Sequence, residues 1–167
     1  MVINMRKKII IILLVGFITF YISQNFYQLN LIQGESMYPT YKNFQFTIID
    51  KHASDFACGD VIVFYCPELR CTMVKRIIAV SGETILISEG EVLVDGVKSP
   101  HVNGNIDFGG TASLALFIDD DHFFVLGDNY AQSRDSRYEE IGCIDRKNII
   151  GRLIPNRPVT TIAKPHS

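Results

Sequence analysis

Gly59-Asp60-Val61-Ile62-Val63-Phe64-Tyr65 and, six residues on, Thr72-Met73-Val74-Lys75-Arg76-Ile77-Ile78-Ala79-Val80-Ser81-Gly82 decide the fold. Both are short apolar runs rich in β-branched and aromatic residues, closed by Gly with a polar neighbour, which is how strands read. Thr84–Ser88 and Val92–Val94 continue the pattern around Glu89-Gly90-Glu91, a hairpin turn, and Asp95-Gly96 turns the chain again. Phe44–Asp50 lies upstream, and Leu114–Ile118, Phe123–Leu126 and Ile149–Ile154 lie downstream. No segment after residue 30 sustains an apolar period of about 3.6. The expectation is a mainly β domain, a barrel or sandwich of short antiparallel strands. Residues 97–110 read as a long loop, and Pro155-Asn156-Arg157-Pro158 closes the core ahead of a tail over 156–167.

The chain has 167 residues, 47% of them hydrophobic, and a net charge of -2. That length suits one domain with its own core. A charged fraction of 20% with 6 Pro argues against disorder. A near-neutral chain lacks the basic face of a general nucleic-acid binder. The mean hydropathy of +0.17 is high for a soluble domain. The N-terminus explains it. Arg6, Lys7 and Lys8 precede an almost unbroken apolar run from Ile9 to Ile22, with no acid before residue 31. A basic flank ahead of an apolar run marks an export signal with its basic end in the cytosol. Ile9–Ile22 alone rises about 21 Å as a helix; continuing to Tyr27 reaches the about 30 Å of a hydrocarbon core. Signal cleavage wants small residues after the run, and Tyr21-Ile22-Ser23-Gln24-Asn25-Phe26-Tyr27 is bulky. Residues 1–8 are therefore expected in the cytosol, 9–27 as a retained transmembrane helix, and 30–155 as an extracytoplasmic domain at the membrane face. That domain is mildly acidic, since beyond residue 30 there are 13 Lys and Arg against 18 Asp and Glu.

Three segments carry chemistry. Gly34-Glu35-Ser36-Met37-Tyr38-Pro39-Thr40 follows the apolar run. Alone, it could be a turn. In Met73-Val74-Lys75-Arg76-Ile77, alternation sends Lys75 and Arg76 to opposite faces, so Lys75 points toward the interior or a cleft. Desolvation lowers the pKa of a buried lysine, and a neutral amine beside a hydroxyl can take its proton, which is the logic of a Ser-Lys pair. The third segment, Gly127-Asp128-Asn129-Tyr130-Ala131-Gln132-Ser133-Arg134-Asp135-Ser136-Arg137, crowds hydrogen-bonding side chains into a loop after an apolar strand.

These three segments, with Gly-Asp-Val-Ile-Val-Phe at 59–64, stand in the order found in the type I signal peptidases, which the chain resembles from about residue 6 to residue 154. The resemblance implies a coiled, mostly antiparallel β-fold that removes signal peptides from exported preproteins at the membrane, with no cofactor and no metal. It implies Ser36 as nucleophile, Lys75 as general base, and Ser133 as a hydrogen-bond partner that orients the Lys75 amine. Asp135 is implied as a support behind the site, paired with Arg137 or Arg76. The Ser36 N–H would donate to the oxyanion. Relatives that add a hydroxyl two residues before the nucleophile differ here, where Gly34 stands. Tyr130, Ala131 and Gln132 replace the usual Arg-x-Asn, and Ala79-Val80-Ser81-Gly82 replaces Gly-x-Pro-Gly. Lys75, rather than His, marks a bacterial-type member. A substrate added as a strand beside Gln33-Gly34-Glu35 and the Lys75 strand would present small residues, in an Ala-x-Ala-like pattern, to pockets walled by Ile32, Gly34, Met37, Tyr41, Met73 and Val74. The expected partners are preproteins and the lipid bilayer, with no nucleic acid. The alternatives are a silent relative that assists assembly of pili or surface proteins, a peptidase dedicated to a few pilus or conjugation substrates, and a self-cleaving regulator of similar fold, which would carry a DNA-binding N-terminus instead of an anchor. The length leaves no room for the inserted accessory domain of some relatives.

Of the four cysteines, at 58, 66, 71 and 143, Cys66 and Cys71 bracket a hairpin mouth, so an oxidising compartment allows a Cys66–Cys71 disulfide. Zinc-ligand spacing is lacking, and Asp119-Asp120-Asp121-His122 reads as a solvated acidic turn.

Overall fold

The protein is described as a computed structural model over residues 5–155. The expected tail 156–167 and the first four residues of the basic N-terminus lie outside the described residues. A helix, α1 (Met5–Phe26), leads directly into the strands β1 (Tyr27–Leu31), β2 (Phe46–Asp50), β3 (Val61–Cys66) and β4 (Cys71–Val80). The chain continues through β5 (Thr84–Ser88), β6 (Glu91–Val94), β7 (Val97–Lys98), β8 (Leu116–Phe117), β9 (His122–Leu126), β10 (Ile144–Asp145) and β11 (Ile149–Leu153).

The strands form two antiparallel sheets, a seven-stranded one ordered β1-β2-β11-β3-β4-β9-β10 and a four-stranded one ordered β7-β6-β5-β8. Among the described residues neither sheet closes on itself, so the barrel alternative gives way to open sheets with β1 and β10 at the edges of the larger one. The β5–β6 turn is shorter than the expected Glu89-Gly90-Glu91: Ser88 pairs with Glu91, leaving Glu89 and Gly90, both at positive φ. A two-residue loop of that kind matches the twist of the flanking strands.

β3 is apolar at nearly every position because both of its faces are covered. Ile62, Phe64 and Cys66 pack with Ile77, Phe123 and Val125, while Val61 and Val63 pack with Ile32, Met37, Tyr41, Ile49 and Leu153. A third cluster, including Ile78, Ile85, Ile118, Phe124 and Leu126, joins the two sheets. β4 reaches this third cluster because its register against β9 shifts between Ile77 and Ala79, which turns Ile78 inward. β4 is thus held on both edges, by β3 and β9, so a side chain at its centre is carried by an interior strand of the larger sheet.

α1 exposes apolar side chains on all sides, among them Ile10, Ile12, Leu13, Phe17 and Phe20. Leu29, Leu31, Phe46 and Ile48, paired across β1 and β2, are also exposed. Among the described residues no helix is long and apolar enough to cross a membrane. The expected span 9–27 passes through Ile22, Ser23 and Gln24, whose side chains lie outside the described residues.

Candidate active site

The segment after β1 folds back on itself. Ile32 N–H donates to Gln45 O at 3.0 Å and Phe44 N–H to Ile32 O at 2.8 Å, closing a loop over residues 32–45. Within it Tyr38 N–H donates to Glu35 O and Tyr41 N–H to Met37 O, making tight turns on either side of a cis Tyr38-Pro39 bond. Met37 and Tyr41 are buried in the cluster beneath. Met37, directly after Ser36, anchors this backbone in the core and leaves Ser36 half-exposed above it.

Lys75 lies at the centre of β4, opposite Ile62 on β3. Its side chain is 3% exposed, and its Nζ sits 2.8 Å from Ser36 Oγ, joining residues 39 apart in the chain. Burial lowers its pKa to about 8, outweighing the carboxylates of Asp135 and Asp128, which pull it up. Desolvation disfavours the ammonium form, so a large share of this amine is neutral near pH 8 and able to accept a proton from the hydroxyl beside it.

The loop after β9 clamps both groups. Asn129 N–H donates to Ser36 O at 2.9 Å and Asn129 Nδ2 to Glu35 O at 3.2 Å. Gly127 lies so close to this junction that a Cβ there would meet Ser133 Oγ at 2.2 Å and Ser36 O at 2.5 Å. Only glycine lets the two segments approach. Asp135 is fully buried and takes a two-pronged bond from Arg137, Nε to Oδ1 at 2.8 Å and Nη2 to Oδ2 at 3.0 Å. Gly127 N–H donates to the same carboxylate at 3.1 Å, and Arg137 Nη2 reaches Tyr130 O at 2.8 Å. The ion pair thereby ties both ends of the 127–137 loop. Arg76 has a separate partner: it bonds Asp128 through Nε at 2.8 Å and Nη2 at 2.7 Å, and donates to Gly59 O at 2.7 Å. Of the two partners open to Asp135, the structure selects Arg137. Asp128, absent from the expected site residues, is the carboxylate that links β4 to the loop. Its position directly after Gly127 in the polar segment was the available signal.

Three expectations change. Ser133 is buried, but its Oγ has no hydrogen-bond partner among the described residues; the Lys75 amine is bonded to Ser36, and no Ser133–Lys75 bond is formed. A groove of about 510 Å³ runs from Ser36 and Lys75 between residues 30–33 and 71–74. Ile32, Met37, Met73 and Val74 line it, whereas Gly34 and Tyr41 do not: Tyr41 is a core plug, and Gly34 directs its N–H to Asn43 Oδ1 at 3.0 Å. The positive φ of Gly34 favours glycine over a hydroxyl-bearing residue at this position. Finally, Cys66 and Cys71 face each other on the last rung of β3–β4, yet all four thiols are free. Cys66 is buried in the core beside Glu68, while Cys71 is exposed in the groove.

A buried lysine against a serine, on an antiparallel β scaffold beside an extended groove, is an arrangement in which a hydroxyl can be activated for nucleophilic attack. Comparison with known proteins makes this specific. The family described as Signal peptidase, peptidase S26, matches residues 3–155, and the chain belongs to that family. It is similar to the signal peptidase I P of Bacillus subtilis subsp. natto, 30% identical over 167 residues that cover 90% of this chain and 85% of that one. It is also similar to the signal peptidase I U of Bacillus subtilis strain 168, 28% identical with 89% of each chain covered. A crystal structure of a signal peptidase I from Enterococcus faecalis V583 aligns with 60% of this chain and 98% of its own at a TM-score of 0.47 and 24% identity. The protein is a serine peptidase of the type that cleaves signal peptides.

Proposed function

We propose that the chain is a membrane-anchored endopeptidase in which Ser36 is the nucleophile and Lys75 the general base, cutting preproteins after small residues in an Ala-x-Ala-like pattern. The observation that carries this reading is the 2.8 Å contact between Ser36 Oγ and the Nζ of a buried lysine. In the neutral form the amine takes the hydroxyl proton as Oγ attacks the scissile carbonyl. The Ser36 N–H donates to the developing oxyanion. The ammonium then returns the proton to the departing amine, leaving an acyl-Ser36 ester. Lys75 next deprotonates a water that hydrolyses the ester. Asp135 and Arg137 position the 127–137 loop, Arg76 and Asp128 fix it to β4, and Ser133 packs against Gly127. The residues before the cut lie extended in the groove between residues 30–33 and 71–74, as an added strand. Ile32, Met37, Met73 and Val74 leave small apolar recesses there, which select small side chains.

α1 serves as the membrane anchor in this reading. Its 22 residues rise about 33 Å, of which the apolar run Ile9–Ile22 supplies about 21 Å, so the polar residues at both ends lie in the headgroup regions of a core about 30 Å thick. Apolar side chains cover its whole circumference, and Lys7 and Lys8 mark the cytosolic end. The exposed Leu29, Leu31, Phe46 and Ile48 face sits against the same bilayer and keeps residues 30–155 at its outer surface. Ser36 stands ten residues beyond Phe26, where a translocating preprotein leaves the membrane.

The test is cleavage of a peptide with an Ala-x-Ala site by the full chain in detergent. Wild type should cut once, after the second Ala, and Ser36→Ala and Lys75→Ala should each lose about 10³-fold or more. Equal rates in wild type and Ser36→Ala would refute the assignment.

A further inference from the structure

Glu35, the residue before Ser36, borders a second cleft that the acyl half of a substrate does not fill. The first groove ends at Ser36 and Lys75. The second, about 560 Å³, begins one residue earlier in the chain, at Glu35, and runs past Tyr38 toward Asn103, Asn105, Asn129 and Gln132. Ser36 lines the first and Glu35 the second, so the Glu35–Ser36 peptide joins the two, and Asn129, itself in the second cleft, holds that peptide through Ser36 O and Glu35 O. A chain lying extended in the first groove with its scissile carbonyl at Ser36 must leave in the opposite direction, over Glu35. The second cleft is therefore where the residues after the cut would lie.

Its lining differs sharply from that of the first groove. Asparagine, glutamine and tyrosine side chains dominate, and no Lys, Arg or His takes part. Of its two carboxylates, Asp128 is neutralised by Arg76. Glu35 is exposed and has no ion-pair or hydrogen-bond partner for its carboxylate among the described residues. The cleft thus holds one uncompensated negative charge, next to the nucleophile in sequence. Resting on the reading of Ser36 given above, we propose that this cleft is the leaving-group subsite and that Glu35 makes it select preproteins with a Lys or Arg among the first residues of the mature chain. Glu35 acts on binding of the departing segment and takes no part in the proton transfers.

The experiment uses the full chain in detergent and a set of peptides identical before the cut, each carrying Lys, Ser or Glu in turn at the first three positions after it. The readout is the ratio of kcat/KM for Lys against Glu at each position. At low salt wild type should prefer Lys by about two- to fivefold at one position, the size of an exposed ion pair, and the preference should shrink as salt screens it. Glu35→Gln should bring the ratio to one and Glu35→Lys should invert it, while Glu89→Gln on the distant β5–β6 turn should leave it as in wild type. A wild-type ratio of one at every position, or a preference that survives Glu35→Gln, overturns the proposal while cleavage of the Ser peptide keeps the peptidase reading intact. Failure of wild type to cut the Ser peptide overturns both.

Discussion

Replacing Lys75 with methionine should make the folded protein more stable at neutral pH and destroy its activity. The pKa of Lys75 falls from 10.5 to about 8 on burial. At about 1.36 kcal/mol per pH unit, the folded state carries a cost of about 3 kcal/mol for keeping this ammonium out of water. The sign follows from linkage. Between pH 8 and 10.5 the unfolded lysine binds a proton that the folded one has released, so wild-type stability rises with pH in that window. Below pH 8 both states are protonated, and the whole cost remains. Methionine has nearly the same length and no charge to desolvate, but it gives up the contact with Ser36, worth about 1 kcal/mol. The net expectation is a gain of about 2 kcal/mol at pH 7 that disappears toward pH 10.5. Urea unfolding followed by circular dichroism at pH 7 and pH 10 reads it directly. A methionine variant less stable than wild type at pH 7, or a difference that does not change with pH, would refute the idea that burial dominates at Lys75.

Gly127→Ala forces a Cβ against Ser36 O at 2.5 Å and Ser133 Oγ at 2.2 Å; the resulting shift of the Ser36 segment should cost about 10²-fold in peptide cleavage and about 1–3 kcal/mol in urea stability. Asp135→Ala leaves the buried Arg137 without its partner and should destabilise the domain by about 3–5 kcal/mol in the same assay. Asp135→Asn removes the largest upward pull on Lys75, so the pH midpoint of cleavage should move below that of wild type. Ser133→Ala deletes a buried hydroxyl that makes no hydrogen bond; its unfolding midpoint should be unchanged or higher, by up to about 1 kcal/mol.

Strands that alternate or run apolar between Gly-rich turns were legible along the chain, and β5 falls at the expected Thr84–Ser88. β1 was not, because Tyr27–Leu31 reads as the end of the apolar N-terminus; only its pairing with β2, about twenty residues away, makes it a strand. β7 and β10 are two residues long, too short to carry a period. At the site, the pattern places Lys75 inside an apolar strand, which foretells burial, and the polar segment 127–137 foretells a supporting loop. Neither says which arginine meets which carboxylate: Arg76 and Asp128 are 52 residues apart, and their pairing depends on β4 and β9 lying side by side. Tyr41 shows the same limit. The family resemblance implies a groove wall there, but the turn after Met37 sends the ring down into the core. Among the described residues the Ser133 hydroxyl faces no partner, a detail of rotamer and loop geometry that no linear pattern encodes.

Lys75 must be neutral enough at working pH to act as a base. The most direct measurement is the pH dependence of kcat/KM for an Ala-x-Ala peptide with the full chain. The rate should rise as a single deprotonation with a midpoint at about 8 and level off above it, with Lys75→Ala showing no such rise. A profile flat from pH 6 to 10 in wild type, or the same rise in Lys75→Ala, would contradict the assignment of Lys75 as the base.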